Sequence, residues 1–253
     1  MKNTLLSGQD VCKSFSQSGT ETQVLNHIDI ELYEGDFTVI MGASGAGKST
    51  LLYALSGMDG ITSGEITFKG QRMDGLIEKK MAQLRAKEFG FVFQQTHLVS
   101  NLTLFENVAV AGYAAKAGTV REIKDTANAL LVKMHADGAK DRLPSQVSGG
   151  EAQRAAIARA MIGNPGLIFA DEPTGVLNKS NSEEVMALLT ELNSGGQSIL
   201  MVTHDIKAAM HGNRILYLED GKILDELALS PYGQEDIRAR EDKVSRWLAS
   251  LQW

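Results

Sequence analysis

The fold of this chain is decided by one stretch, Gly42-Ala43-Ser44-Gly45-Ala46-Gly47-Lys48-Ser49-Thr50. Four residues separate Gly42 from Gly47, and Lys48 and Ser49 follow, which is the pattern of a phosphate-binding loop. The stretch comes directly after the apolar run 37–41, which is typical of a buried strand, and before an apolar run that continues as a helix. This strand, loop and helix order is the setting that the pattern requires.

The residue types suit phosphate chemistry. Glycines at 42, 45 and 47 let successive backbone N–H groups turn inward, and the positive end of the following helix points to the same place. Lys48 can reach the β- and γ-phosphates, and the Ser49 hydroxyl can hold Mg²⁺. A glycine-rich turn without a ligand is the alternative, which the flanking strand and helix disfavour. The predicted nucleotide-binding residues here are Gly42, Ser44, Gly45, Ala46, Gly47, Lys48, Ser49 and Thr50.

Composition narrows the class of protein. The 253 residues suffice for one or two domains, and a net charge of −6 has the wrong sign for binding nucleic acid through the overall field. The single cysteine, Cys12, excludes an internal disulfide, and we expect it to be packed. We expect no signal peptide and no membrane span, so a partner would have to provide any membrane contact.

Secondary-structure patterns predict a β-rich first third, with strands over 5–15 and 23–33 joined by a turn at 17–20. Mainly helical sequence follows, and strands and helices then alternate up to the hairpin around Asp220-Gly221. The spacings Ser148 to Glu151 and Ser180 to Glu183 each predict a capped helix start. The last twenty residues predict an amphipathic helix, which either packs on its own domain or contacts a partner. The class is therefore α/β.

Polar residues follow three apolar strands, at the sheet edge where α/β proteins bind ligands. Asp171 is predicted to bind metal and Glu172 to activate water, although such a pair can be a solvated turn. His204 is a candidate for a hydrogen bond to the γ-phosphate, and the alternative is that it is a structural histidine. Gln94 can ligate Mg²⁺ or simply face solvent. Phe15 is either a core residue or a platform for adenine stacking.

With these residues in view, the chain resembles the ATP-binding subunits of ABC transporters over nearly its whole length. In the family's order, the motifs look like an adenine-stacking aromatic, the Walker A loop, the Q-loop glutamine, the signature motif, Walker B with its catalytic glutamate and the switch histidine. Their positions here are Phe15, Gly42 to Thr50, Gln94, Val147 to Glu151, Leu167 to Glu172 and His204.

The resemblance implies a P-loop NTPase (RecA-like) core with an N-terminal antiparallel β subdomain and an inserted α-helical subdomain. Residues 1–95 and 164–230 would form the catalytic core with the β subdomain. Residues 96–163 would form the helical signature subdomain, and 231–253 the C-terminal amphipathic helix.

The resemblance also implies ATP hydrolysis with Mg²⁺, whose ligands would be Ser49, Gln94 and Asp171. Two copies would meet head to tail, so that the signature residues Ser148, Gly149 and Gly150 of one copy close the site of the other. We expect exposed N–H groups at Ser148 and Gly150 to meet the γ-phosphate. The dimer would drive an integral membrane permease from the cytoplasmic face of a bacterial membrane, without nucleic acid.

Motif details resemble the subgroup that serves macrolide exporters, lipoprotein release, the cell-division complex and bacitracin-type peptide resistance. Export or antimicrobial-peptide resistance is therefore the expected role, and residues 98–105 are the expected permease contact. Relatives usually carry Asp at the position of Asn178, which leaves coupling and the hydrolysis rate open. Val147 and Glu151 replace the common Leu and Gln of the signature.

Two other classes remain as alternatives. One is a slow ATP-gated signalling module that acts through a permease on a sensor kinase or a cell-wall hydrolase. The other is a soluble ABC protein of DNA repair or translation, but those usually carry two nucleotide sites per chain or a metal-binding or coiled-coil insertion.

Overall fold

The computed structural model describes residues 2–17, 20–233, 235–251 and 253, so the predicted turn residues Ser18 and Gly19 lie outside it. The strands in the described residues are β1 (Thr4–Gln17), β2 (Thr20–Tyr33), β3 (Phe37–Met41), β4 (Ser63–Phe68), β5 (Gln71–Arg72), β6 (Phe89–Phe93), β7 (Leu167–Asp171), β8 (Ser198–Val202), β9 (Arg214–Glu219) and β10 (Lys222–Ala228). The α-helices there are α1 (Lys48–Leu55), α2 (Glu78–Glu88), α3 (Leu104–Ala115), α4 (Val120–Lys133), α5 (Gly149–Met161), α6 (Lys179–Ser194), α7 (Ile206–Ala209) and α8 (Ile237–Ser250).

The chain forms two compact units. The first, unit 1, comprises Met1–Ile77 and Asn193–Trp253, and the second, unit 2, comprises Glu78–Leu192. Unit 1 contains an antiparallel sheet with the strand order β2-β1-β4-β5. Alternating apolar residues bury one face of this sheet, because successive side chains of a strand point to opposite faces.

Unit 1 also contains β3, which pairs in parallel with β8 on one side and β9 on the other. The short turn at Asp220-Gly221 joins β9 to the antiparallel β10, as predicted. Every residue of β3 and β8 is buried, which explains why both read as unbroken apolar runs. The carboxyl ends of β3 and β8 lie at the same edge.

In unit 2, β6 pairs in parallel with β7, and the ring of Phe91 stacks on that of Phe169 with centroids 5.6 Å apart. Helices α3, α4 and α5 pack against one another. All five alanines of α5 are buried, because small side chains allow close helix packing. The predicted α/β class, with an antiparallel β part and a helical part, is confirmed.

Most predicted helix starts agree with the structure to within a few residues, but the start of α6 differs. The predicted cap was Ser180, whereas α6 begins at Lys179 and the side-chain oxygen of Asn178 accepts the N–H of Asn181 at 3.0 Å. The prediction that Ser180 caps this helix is therefore wrong. The residue that differs from the usual aspartate of the family is the residue that caps α6.

The C-terminal helix α8 packs on its own unit through a buried arginine. Arg240 is 1% exposed, and its guanidinium donates to the carbonyl oxygens of Met210 at 2.6 Å, Gly212 at 2.6 Å and Ser230 at 2.8 Å. It also pairs with Glu235. These contacts support the interpretation that α8 packs on its own domain. Among the described residues, no helix has the length and apolar character needed to cross a membrane.

Candidate functional site

The predicted phosphate loop follows β3 and has the backbone that its glycines were expected to allow. Gly45 and Gly47 have φ values of 84° and 99°, in the left-handed region that favours glycine. A Cβ at Gly42 would lie 2.1 Å from the carbonyl oxygen of Leu218. Glycine is thus required at 42 by packing and at 47 by conformation.

Lys48 is the first residue of α1 and is only 8% exposed. Its Nζ donates to the carbonyl oxygens of Gly42 at 2.8 Å and Ala43 at 2.9 Å, which holds the ammonium group inside the loop. Gly47 precedes it as an N-cap without a side chain, so the positive end of α1 faces the loop. Backbone N–H groups, a helix terminus and a buried ammonium together suit a polyphosphate.

His204 and Phe15 are the other predicted site residues of unit 1. β8 runs parallel to β3, and the N–H of Thr203 donates to the carbonyl oxygen of Ile40 at 3.1 Å. The exposed His204 therefore lies at the same sheet edge as the phosphate loop. Phe15 is 45% exposed, with Lys13 Nζ 4.8 Å from its ring centroid, so the interpretation of Phe15 as a core residue is wrong.

Unit 2 brings together the other strand-end residues. Asp171 ends β7 and pairs in register with Phe93, the last residue of β6, so Gln94 and Glu172 each stand one residue beyond a paired position. Asp171 is 9% exposed. Glu172 has a φ of 47°, which is unfavourable for a residue with a side chain and marks strain that clusters at functional sites.

A buried glutamine of α5 connects these two strand ends. Gln153 is 1% exposed, and its Nε2 donates to the carbonyl oxygens of Phe93 at 2.9 Å and Pro173 at 2.8 Å. Phe93 precedes Gln94 and Pro173 follows Glu172, so one amide group ties the backbone next to both predicted site residues. The sequence interpretation missed Gln153. Its signal was a polar residue on the buried, alanine-rich face of a helix.

The signature segment starts α5 with the predicted capping box. The Oγ of Ser148 accepts the N–H of Glu151 at 3.2 Å, and a carboxylate oxygen of Glu151 accepts both the N–H and the hydroxyl of Ser148 at 2.8 Å. These hydrogen bonds lower the pKa of Glu151, and the one from the backbone N–H of Ser148 has the largest effect. The expectation of exposed N–H groups is wrong on two counts, because the N–H of Ser148 is engaged and Gly150 is buried.

Gly150 and Gly149 lie against the segment that follows Glu172. A Cβ at Gly150 would meet the side-chain oxygen of Asn181 at 2.4 Å, and one at Gly149 would meet Leu177 at 3.4 Å. Glycine at 150 thus allows α5 to approach α6 closely. Ser148 and Gly149 are the exposed members of the predicted signature triplet.

The segment after Gln94, which we call the 96–103 loop, is held by one buried and one half-buried side chain. Asn107 accepts the N–H of Val99 at 2.7 Å and donates to the carbonyl oxygens of Val99, Leu102 and Thr103 at 3.0 to 3.1 Å. Arg159 donates to the carbonyl oxygens of Thr96 and His97, each at 2.7 Å, and burial lowers the pKa of its guanidinium. Both residues bind only backbone atoms of the loop.

Comparison with known proteins decides the family. The sequence profile described as ABC transporter matches residues 25–175, which is more than half of the chain. The chain belongs to the ABC transporter family. Within this family it is similar to macrolide export ATP-binding/permease proteins MacB. The identities are 43% in Wolinella succinogenes, 35% in Pasteurella multocida and 38% in Haemophilus ducreyi.

These alignments cover 88%, 100% and 90% of this chain but 34%, 38% and 33% of the relatives. The chain thus spans about a third of the length of these ABC relatives.

Solved structures of ABC proteins resemble the fold closely. A post-hydrolysis dimer of the ATP-binding cassette MJ0796 bound to ADP and Pi matches with a TM-score of 0.84 and 34% identity, covering 90% of this chain and 100% of that one. A second dimeric structure of MJ0796, a bacterial ABC transporter cassette, matches with a TM-score of 0.84 and 35% identity over the same shares. The chain is an ABC-type ATPase, and the prediction of an ATP-binding subunit close to macrolide exporters is confirmed.

Proposed function

We propose that two copies of this chain dimerise head to tail around ATP and drive an integral membrane permease. Two comparisons support this. The curated relatives combine ATP-binding and permease parts in one protein, and the solved neighbours are dimers, one of them bound to ADP and Pi. Because those relatives are macrolide exporters by name, export of an amphipathic compound or resistance to antimicrobial peptides is the proposed role. The permease would hold the chain at the cytoplasmic face of the membrane.

The phosphate loop fits ATP. A Cβ at Gly42 would meet the carbonyl oxygen of Leu218 at 2.1 Å, so the loop takes this path only with glycine there, and Lys48 is buried with its ammonium group inside the loop. Phe15 offers an exposed ring for adenine, and His204 would bond the γ-phosphate. Ser49, Gln94 and Asp171 are the proposed Mg²⁺ ligands, and oxygen donors of this kind are those that Mg²⁺ prefers. Bound Mg²⁺ neutralises charge on the phosphate oxygens.

Glu172 carries the chemistry in this proposal. Its carboxylate would orient the attacking water and take its proton, and Ser148, Gly149 and Gly150 of the second copy would close the site. The single observation that supports the assignment best is the left-handed backbone of Glu172 directly after buried Asp171. Surrounding contacts maintain such strain, and the hydrogen bond from Gln153 to the neighbouring carbonyl of Pro173 is one of them.

The test is ATP hydrolysis by the chain co-purified with its permease, comparing wild type, Glu172→Gln and the control Glu191→Gln, which alters an exposed carboxylate on α6. We expect turnover to collapse only in Glu172→Gln, while ATP still brings two copies together. Equal rates in wild type and Glu172→Gln would remove Glu172 from its role. A wild type that binds ATP tightly without turnover would support the signalling module instead.

A further inference from the structure

A cluster of three metal-ligand side chains lies in the antiparallel sheet of unit 1, on β1 and β2. Asp10, Cys12 and His27 each offer one ligand atom, and these atoms all lie within 4.8 Å of one another. The group takes no part in the ATP site described above. In the part of the chain that the structure describes, it is the one group of at least three histidine, cysteine or acidic side chains with such spacing.

Two β-bulges bring these side chains together. Between the pairs Gly8↔Ile30 and Val11↔Ile28, β1 has one residue more than β2, and between Val11↔Ile28 and Lys13↔Leu25 the extra residue is on β2. Extra residues of this kind redirect side chains and are common next to functional sites.

The bulged residues themselves are strained. Asp10 and His27 have φ values of 52° and 51°, in the left-handed region that residues with side chains seldom adopt. Two adjacent strands thus each keep an unfavourable backbone conformation at the position of a ligand. Such strain is maintained only where surrounding contacts impose it, and it is enriched at ligand sites.

Hydrogen bonds already hold the three ligand groups in a convergent arrangement. His27 Nδ1 lies 2.5 Å from a carboxylate oxygen of Asp10, and the backbone N–H of His27 donates to the buried sulfur of Cys12 at 3.3 Å. The N–H of Asp10 in turn donates to Asp29. The sulfur thus lies beside the imidazole and carboxylate, and a cysteine binds metal as its thiolate.

We propose that Asp10, Cys12 and His27 form a binding site for a borderline transition-metal dication, with Zn²⁺ as the best fit. A thiolate, an imidazole and a carboxylate are the ligands that Zn²⁺ takes at about 2.0 to 2.3 Å, whereas Mg²⁺ and Ca²⁺ take oxygen donors. When the cation takes the place of the hydrogen between His27 Nδ1 and Asp10, the neutral imidazole carries its proton on Nε2, and the thiol proton of Cys12 passes to solvent. Water fills the fourth position.

The geometry permits the small opening that an ion requires. Tetrahedral ligands stand about 3.3 to 3.8 Å apart, so the imidazole and carboxylate must separate by roughly 1 Å, and the sulfur, which lies within 4.8 Å of both, must come within the same range. Both side chains can move, because His27 is 66% and Asp10 67% exposed. His27 also lines a surface cavity, together with Asn26, Ile28, Asp29, Lys222 and Ile223.

The test uses Co²⁺ as a spectroscopic substitute for Zn²⁺ on the full chain, freed of metal and nucleotide. Because Cys12 is the only cysteine, thiolate-to-cobalt charge-transfer absorption in the near ultraviolet can come from no other residue. We expect a saturable band at one ion per chain that Zn²⁺ abolishes. Absence of this band in the folded wild type would overturn the proposal.

Single substitutions distinguish a site formed by all three side chains from Co²⁺ binding by the Cys12 thiolate alone. His27→Asn and Asp10→Asn keep residue types that tolerate the left-handed backbone, and each should weaken Co²⁺ binding by about tenfold or more. His135→Asn is the matched control, because His135 is an exposed histidine with a φ of 52° in unit 2. Cys12→Ser should abolish the band. Unchanged affinity in both His27→Asn and Asp10→Asn, with native circular dichroism, would also overturn the proposal.

Discussion

The side-chain amide of Gln153 lies 2.8 Å from the carbonyl oxygen of Pro173. The other acceptor of the same nitrogen is Phe93, so α5 is joined to the residue before Gln94 and to the residue after Glu172. A nitrogen with two N–H groups satisfies the carbonyl of the last residue of β6 and a carbonyl two residues beyond the end of β7. The signature helix and the two loops that bear the proposed chemistry of unit 2 therefore share one buried contact.

Gln153→Leu is expected to lower kcat more than it changes KM for ATP. The substitution removes the donor of two buried carbonyls, costs about 1–3 kcal/mol in stability and loosens the backbone beside Gln94 and Glu172. Misplacement of these groups should cost about tenfold or more in kcat, while the phosphate loop is untouched. Steady-state ATPase kinetics of the permease complex measure this.

Gln83→Leu is the control for that experiment, because Gln83 is an exposed glutamine on α2. If Gln153→Leu loses stability and activity in proportion, and kcat falls no more than KM changes, Gln153 has a structural role only.

Glu172→Gly is expected to separate stability from activity. Glycine accepts a φ of 47° without the cost of about 1–2 kcal/mol that a side chain incurs in the left-handed region, so the free energy of unfolding should rise by up to about 1 kcal/mol. Hydrolysis should be lost with the carboxylate. Lys116→Gly relieves a φ of 53° at the end of α3 and should stabilise similarly with full activity. Urea unfolding and ATPase assays distinguish Glu172→Gly from Lys116→Gly. If Glu172→Gly were less stable than wild type, the strain argument would be refuted.

Arg240→Met is expected to lower the free energy of unfolding by about 3 kcal/mol or more. The change leaves the carbonyls of Met210, Gly212 and Ser230 without the guanidinium that donates to them. Arg240→Lys should rescue little, because an ammonium group cannot reproduce the planar fork. The exposed Arg246→Met on the same helix should change nothing in a urea titration. A comparable loss of unfolding free energy in Arg240→Met and Arg246→Met would contradict the role of Arg240 in holding α8.

Acidification is expected to destabilise the chain through His211. Burial, and to a smaller degree the nearby Arg240, lower the pKa of its imidazole from 6.5 to about 4. Between pH 6.5 and pH 4 the imidazole is protonated in the unfolded state but neutral in the folded state. The contribution of the neutral imidazole to the free energy of unfolding is therefore complete above pH 6.5 and is lost as pH falls towards 4. The loss amounts to about 3 kcal/mol at 1.36 kcal/mol per pKa unit.

The measurement for His211 is the pH dependence of urea unfolding. His211→Gln should have a flatter profile between pH 6.5 and 4, whereas His135→Gln, at an exposed position, should retain the wild-type slope. Identical slopes in wild type and His211→Gln would show that another group titrates.

The sequence predicted those features that depend on neighbouring residues. The phosphate loop between β3 and α1, the capping box at Ser148 and the hairpin turn at Asp220-Gly221 all follow from local spacing and conformational preference. The error at the start of α6 has the same origin. Asn178 and Ser180 are both good caps, and local pattern alone does not rank them.

Features that depend on distant residues were missed. Arg240 lies 30 positions from Met210, and Gln153 lies 60 positions from Phe93, so no window of sequence contains both partners. The bulges at Asp10 and His27 are likewise set by register between strands and by Gly64, where a Cβ would meet the carbonyl oxygen of Asp10 at 2.4 Å. Only the folded chain shows these relationships.

The 96–103 loop is anchored through its backbone, and this affects how its sequence can diverge between relatives. Because Asn107 and Arg159 bind only main-chain atoms, these hydrogen bonds do not depend on which side chains stand at the exposed positions of the loop. Under the proposed function, substitutions at exposed positions such as Val99 would alter the expected permease contact at 98–105 at little cost in folding. Specificity for the proposed partner can thus diverge between relatives one residue at a time, without any change in the residues that bind ATP.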